Sequence, residues 1–263
     1  MPAAGARPTG AQDEAAAAQA VRQMFDSIAP RYDLLNHVLS ASVDRLWWWR
    51  TARRFRTILA DPNAAVLDIC CGTGHMTMAL LKGRPHGARP ILAADFARGM
   101  LSRAATRFEA RKPDQPTAIS IEADALHLPL RDASLDLVVT AFGFRNLANY
   151  EAGLREFRRV LKPGGRLGIL DFAEPGGLMG KAYGVYFRRV LPAIGRLVTG
   201  PAAPGAEGPY RYLPTSVGNF PPPQELLALM RAVGYEDCAW QPYTFGIAGL
   251  YTCTRSKLFD TSQ

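Results

Sequence analysis

From Ala64 onward the chain alternates short apolar runs with amphipathic stretches, and this rhythm predicts the architecture. "AAVLDICCG" reads as a short buried strand and "HMTMALLKG" as a helix with Gly83 near its end. "RPILAADF" is a second strand, followed by a helix through "MLSRAATRFEAR". "AISIEAD" is a third strand, and "LDLVVTAFG" a fourth after the turn-like "LRDAS". "NYEAGLREFRRVLKPGG" is a helix stopped by Pro163 and two glycines, and "RLGILDF" is a fifth strand. Strands separated by helices find their natural solution in a parallel α/β sheet.

The flanking segments have a different texture. "VRQMFDSIAPRYDLLNHVLSASVDRLWWWRTARRFRTILA" reads as helices broken at Pro30 and near Ser40–Ser42. "LMGKAYGVYFRRVLPAIGRLV" is helical with a kink at Pro192, and "GPAAPGAEGPYRYLPTS" is a Pro/Gly-rich excursion suited to a lid. "PPPQELLALMRAVG" restarts a helix with proline first and Gly234 last. "CAWQPYTFGIAGLYTCTR" reads as two closing strands bent at Gly246. No internal repeat is visible. The expectation is a tail over residues 1–20 that turns helical near Ala15 and one domain over 21–255, with a helical lid at 21–60, an insertion at 176–220 and a second tail at 256–263.

Composition narrows the class. A chain of 263 residues that is 48% hydrophobic can bury one large core. No run reaches the ~18 apolar residues of a membrane span. The opening segment lacks the apolar region of a secretory signal, and Asp13 and Glu14 weigh against a transit peptide. Four cysteines without an export signal suggest reduced thiols in the cytoplasm. The net charge of +8 suits nucleic acid, an anionic membrane surface or an acidic ligand without choosing among them.

Candidate chemistry gathers at the strand ends. Gly72-Thr73-Gly74 opens a helix whose free N–H groups suit an anion or polar ligand. Thr77 stands where a dinucleotide fingerprint wants its third glycine, and no Gly-Lys-Ser/Thr phosphate loop is present. Asp68 precedes the turn, Asp95 ends the second strand and Asp124 follows the third. Each could be a simple strand-end cap. Together they suit a nucleoside joined to a cationic amino acid, with Asp95 on ribose hydroxyls and Asp124 on an exocyclic amine. Cys70 and Cys71, read as part of an extended chain, point to opposite sides and cannot share a metal; the four histidines form no ligand spacing.

"VLDICCGTG", "LAADF", "EADALHLPLRDASLDLVV" and "LKPGGRL" resemble the motifs of S-adenosylmethionine-dependent methyltransferases with a seven-stranded Rossmann-like sheet. "YDLLNHVLSASVDRLW", "GFRN", "RRVLKPGGRLGILDF" and "YRYLPTSVGNFP" are similar to the ubiquinone/menaquinone biosynthesis C-methyltransferases, from about Val21 to Arg255. The resemblance implies a mostly parallel sheet with helices on both faces and an antiparallel closing strand. It also implies S-adenosylmethionine as cofactor and an isoprenoid hydroquinone, of demethylmenaquinol or ubiquinone-precursor type, as acceptor. Carried over by motif, Thr73, Asp95, Asp124, Ala125, Ala141 and Tyr32 would meet the cofactor, with Asp68, Gly72 and Gly74 shaping its pocket. Asp33 and Asn36 would close over the site, while Tyr210, Arg211 and Tyr212 would line the acceptor channel.

C-methylation of a hydroquinone needs a phenolate beside the reacting carbon, and no metal. Arg145 is the expected phenolate stabiliser and Asn146 the residue that fixes the ring; the alternative is that Arg145 pairs with a structural acid such as Asp171. Departures from the family pattern occur at Asp44, where histidine is common, at His75 in place of aspartate, and at Ala141, Asp171, Ala173 and Tyr251.

On a helix through Val43–Leu59, Val43, Trp47, Phe55 and Ile58 share a core face, and Arg45, Trp49, Arg53 and Arg56 share another. The second face either meets anionic headgroups at the inner face of a membrane or has Trp49 packed on other helices. Other readings are a methyltransferase for another phenolic or isoprenoid acceptor and a non-catalytic scaffold. A nucleic-acid enzyme is disfavoured because "TAFGFRN" replaces the Asn/Asp-Pro-Pro-aromatic turn. A homodimer is compatible with the sequence.

Overall fold

The computed structural model describes residues 5–6, 12–29, 43–173 and 216–257. The N-terminal helices are α1 (Glu14–Ile28), α2 (Asp44–Arg54) and α3 (Arg56–Leu59). The alternating region gives β1 (Val66–Ile69), α4 (His75–Leu81), β2 (Ile91–Asp95), α5 (Arg98–Glu109), β3 (Ala118–Glu122) and β4 (Leu135–Ala141). A 3₁₀ turn at Phe144–Asn146 leads to α6 (Tyr150–Val160) and β5 (Leu161–Phe172), and the chain closes with α7 (Pro223–Ala232), β6 (Tyr235–Tyr243) and β7 (Ala248–Arg255).

The strands form one seven-stranded sheet in the order β3-β2-β1-β4-β5-β7-β6. Pairings from β3 through to β5 are parallel, and β7 runs antiparallel to both β5 and β6. Alternation along the strands supplies the two cores. Leu67, Ile69, Val138 and Ile169 pack under Leu154 and Phe157 of α6 and Leu226 and Met230 of α7. Val66, Leu137, Val139 and Leu170 pack on the other side with Trp47, Phe55 and Leu80. Burial on both faces explains why β1 is a continuous apolar run interrupted only by Asp68. The chain order reverses between β1 and β4, which opens a crevice above their carboxyl ends.

The tail, expected to turn helical near Ala15, becomes helix at Glu14, where Asp13 caps α1 by accepting from Ala16 N at 2.7 Å. Two boundaries differ from expectation. The helix expected through Val43–Leu59 is interrupted at Phe55 (φ −105°, ψ 15°), so Arg56 starts a separate turn. β5 begins at Leu161, five residues early, because Lys162–Gly165 bulge out between the paired residues Leu161 and Arg166. The 30–42 stretch and most of the 176–220 insertion lie outside the described residues. No helix among those described is long and apolar enough to cross a membrane.

Candidate active site

The crevice at the β1/β4 switch point holds a pocket lined by the strand ends and by residues of α1, α2 and α4. Its base is the turn between β1 and α4. Cys70, Gly72 and Gly74 all take left-handed backbone (φ 55°, 55° and 85°), which coils the chain tightly enough to start α4 at His75. A side chain at Gly74 would also strike the Phe108 ring at 2.8 Å. The chain is therefore not extended at Cys70, and the opposed-thiol geometry expected from sequence is incorrect: Cys70 and Cys71 line the same pocket. Burial, reinforced by Asp95 and Asp68, pushes both thiols well above their usual range, so they remain protonated.

Asp95 binds the turn from the side. Its Oδ2 accepts from Gly72 N at 2.8 Å and its Oδ1 from Ala97 N at 2.8 Å. A carboxylate offers about four acceptor positions, so two remain for hydroxyl donors in the pocket. Burial raises Asp95 to about 6 against the lowering effect of those N–H groups. Asp68 lies behind the turn, fully buried, with Oδ2 accepting from Thr77 Oγ1 at 2.5 Å. Its Oδ1 is buried with no hydrogen-bond partner among the described residues. Burial, with a contribution from Asp95, raises its carboxyl to about 7. Asp124, by contrast, is half-exposed; Oδ1 accepts from Leu126 N at 2.9 Å and the His127 ring lies 3.6 Å from Oδ2.

Of the residues singled out by sequence, Gly72, Thr73, Asp95, Asp124, Ala125, Ala141 and Asn146 line this one pocket. Asp68 and Gly74 support it from behind. Arg145 belongs to the alternative reading: its Nη1 donates to Asp171 Oδ1 at 2.7 Å and its backbone N to Asp171 Oδ2 at 3.0 Å. The ion pair is buried, with the guanidinium 5.1 Å from the Phe172 ring centre. Arg145 thereby fixes the 3₁₀ turn that sets Asn146 at the pocket wall. Tyr32, Asp33, Asn36, Tyr210, Arg211 and Tyr212 lie outside the described residues.

Sequence reasoning missed an aromatic wall. Trp48 stacks on His75 (centroids 4.7 Å apart, planes 3° from parallel), and both rings line the pocket with Phe142. Phe142 adopts φ 60° and packs on Phe172 and Trp47. It also missed that α1 supplies Ala18 and Phe25 to the lining, held there by Gly99 N donating to Asp26 Oδ1 at 2.8 Å and by an Arg22–Glu122 pair. The departure at His75 was the one available signal.

The pocket thus brings carboxylates suited to ribose and adenine together with aromatic faces suited to a sulfonium or an aromatic ring. Fold and site define an S-adenosylmethionine-dependent methyltransferase. The profile of the ubiE/COQ5 methyltransferase family matches residues 12–255, and the chain belongs to that family. Its relatives include the demethylmenaquinone methyltransferase of Deinococcus radiodurans, 46% identical over 237 residues, covering 89% of this chain and 91% of the relative. The ubiquinone/menaquinone biosynthesis C-methyltransferase UbiE of Geobacter sulfurreducens is 40% identical over 234 residues, covering 88% and 87%. Among solved structures, a SAM-dependent methyltransferase of Thermotoga maritima superposes with TM-score 0.60 over 90% of this chain and 100% of that one; at 18% identity it shows the fold alone.

Proposed function

We propose that the enzyme methylates a ring carbon of an isoprenoid hydroquinone, with demethylmenaquinol as the first acceptor class to test. The observation that carries this reading is the 46% identity to a protein named demethylmenaquinone methyltransferase, combined with the aromatic wall of Trp48, His75 and Phe142. S-adenosylmethionine supplies an electrophilic methyl group on a sulfonium. In this reading Asp95 receives the ribose hydroxyls, Asp124 the adenine amine, and Phe96, Met100 and Ala125 the adenine faces, while Gly72 and Thr73 meet the amino-acid end.

The chain's part in the chemistry is alignment and proton handling. Loss of a phenolic proton raises electron density at the adjacent carbon, which forms the new C–C bond as the C–S bond breaks; the ring hydrogen then leaves as a proton. Asp95 and Asp124 are engaged at backbone N–H groups, so we assign the phenolic proton to His75, held flat by Trp48. Asn146 orients the acceptor, and Arg145 is a positioning residue acting through the turn that carries Asn146.

Incubation with methyl-labelled S-adenosylmethionine and either a demethylmenaquinol or a benzoquinol precursor tests the reading. Label is expected on a carbon of the naphthoquinol. Label on neither quinol, or on oxygen, would overturn it.

A further inference from the structure

Trp48 and Trp49 are neighbours on α2 but face opposite environments: Trp48 lines the pocket, and Trp49 is 51% exposed. Leu46, Trp49, Arg50 and Arg53 recur at helical spacing along the outward side of α2, and Leu46 is 49% exposed. The loop beside this stripe presents a third apolar side chain. Trp47 Nε1 donates to Thr244 Oγ1 at 2.7 Å and the Arg50 guanidinium lies 4.3 Å from the centre of the Tyr243 ring, which fixes the β6–β7 turn against α2. In that turn Thr244 and Phe245 both adopt positive φ (45° and 57°), and Phe245 is 80% exposed. A bulky residue held in left-handed backbone is strained, and here the strain holds a phenyl ring out in solvent.

Among the described residues four large apolar side chains are exposed. Three of them, Leu46, Trp49 and Phe245, lie along this seam; Ile119 is on edge strand β3 across the sheet. The charge along this part of the chain has one sign. Arg45, Arg50, Arg53, Arg54 and Arg56 occupy a stretch from Arg45 to Ala60 that contains no acid, and Arg53 lies 5.4 Å from the centre of the Trp49 ring. Separated apolar side chains amid arginines match the water–headgroup boundary of an anionic bilayer, where rings enter the acyl edge and guanidinium groups meet phosphate.

From this we infer that the Leu46–Trp49–Phe245 face, with its arginines, docks the enzyme on an anionic membrane surface. The inference rests on the lipid-borne acceptor proposed above for the purpose of docking, but its contacts are separate from the pocket. Docking by this face would bring the other side of the same helix, with Trp48, close to the bilayer that carries the acceptor.

The experiment is co-flotation of the full chain with phosphatidylcholine vesicles, with and without phosphatidylglycerol. Wild type, Trp49→Ala, Phe245→Asn and Arg53→Gln are compared. Asparagine tolerates left-handed backbone, so Phe245→Asn removes the ring without adding strain. Wild type is expected to float with anionic vesicles only. Arg53→Gln is expected to lower partitioning about fivefold, and each aromatic variant is expected to lower it at least as much, with S-adenosylmethionine affinity unchanged. Added salt weakens the wild-type interaction. Absence of wild-type flotation, or equal flotation of all four proteins, would overturn the inference. So would a wild-type dimer, seen by sedimentation without lipid, that Trp49→Ala dissolves, because the face would then join two copies. Methylation of a water-soluble naphthoquinol by the same variants should stay within twofold of wild type. Loss of that activity in wild type while vesicle binding persists would count against the acceptor assignment and leave the docking face standing.

Discussion

The Nη1 of Arg145 lies 2.7 Å from Oδ1 of Asp171, and the backbone N of the same arginine donates to the other carboxylate oxygen at 3.0 Å. One acid thus holds both the side chain and the main chain of the turn after β4. Replacing Asp171 with alanine removes the carboxylate that faces the buried Arg145 guanidinium, at a cost of about 3–5 kcal/mol. Urea unfolding should register that loss. At temperatures where the variant is folded, kcat should fall while S-adenosylmethionine affinity changes little. A normal kcat would remove Arg145 from its positioning role.

Asp68 supplies a pH dependence. Burial raises its carboxyl from an ordinary 3.8 to about 7. The unfolded chain releases this proton near pH 3.8 and the folded chain keeps it to about pH 7. The stabilisation is therefore complete below 3.8 and lost as pH rises through 7, a difference on the order of 4 kcal/mol. Asp95, raised to about 6 for the same first cause, adds a slope of the same sign over lower pH. Cofactor-free protein should be less resistant to urea at pH 8 than at pH 5. Asp68→Asn, which keeps an acceptor for Thr77, should remove at least half of that slope.

Asp95 should also set a pH dependence of binding in the opposite direction. Its ionised form is the better acceptor for hydroxyl donors. S-adenosylmethionine affinity, measured by calorimetry, is expected to strengthen as pH rises from 5 to 7.5. Asp95→Asn should weaken it at pH 7.5 by about tenfold, the effect of one lost charge-assisted hydrogen bond. An unchanged affinity would detach Asp95 from the cofactor.

Cys70 and Gly143 form a reciprocal packing pair. A methyl group on Gly143 would stand 2.3 Å from Cys70 Cβ, and Cys70 itself occupies left-handed backbone that glycine tolerates. Gly143→Ala should cost about 1–3 kcal/mol through overpacking. Cys70→Gly relieves backbone strain worth about 1–2 kcal/mol and removes the clashing carbon. The double variant should therefore be more stable than Gly143→Ala alone, with a coupling above about 0.5 kcal/mol in a double-mutant cycle. Strict additivity would refute the contact.

His75→Gln tests proton handling. The expected outcome is a kcat lowered by about 10²-fold or more with cofactor affinity retained. Trp48→Leu, which removes the stacking partner, should lower kcat less. A normal kcat in His75→Gln would assign the proton elsewhere.

Period and punctuation in the sequence determined the order of strands and helices, because burial on both faces leaves each central strand as an apolar run and glycines or prolines mark the exits. Hydrogen-bonding chemistry at the strand ends also made Asp95 and Asp124 legible as pocket residues. Tertiary structure alone decided where Arg145 points, since a guanidinium pairs with whichever acid the fold brings within reach, and Asp171 is 26 residues away on the next strand. It likewise decided that Cys70 turns left-handed, that Trp48 covers His75, and that α1, beginning at Glu14, closes one side of the pocket. Those facts depend on contacts between segments remote in the chain, and no local pattern of polarity encodes them.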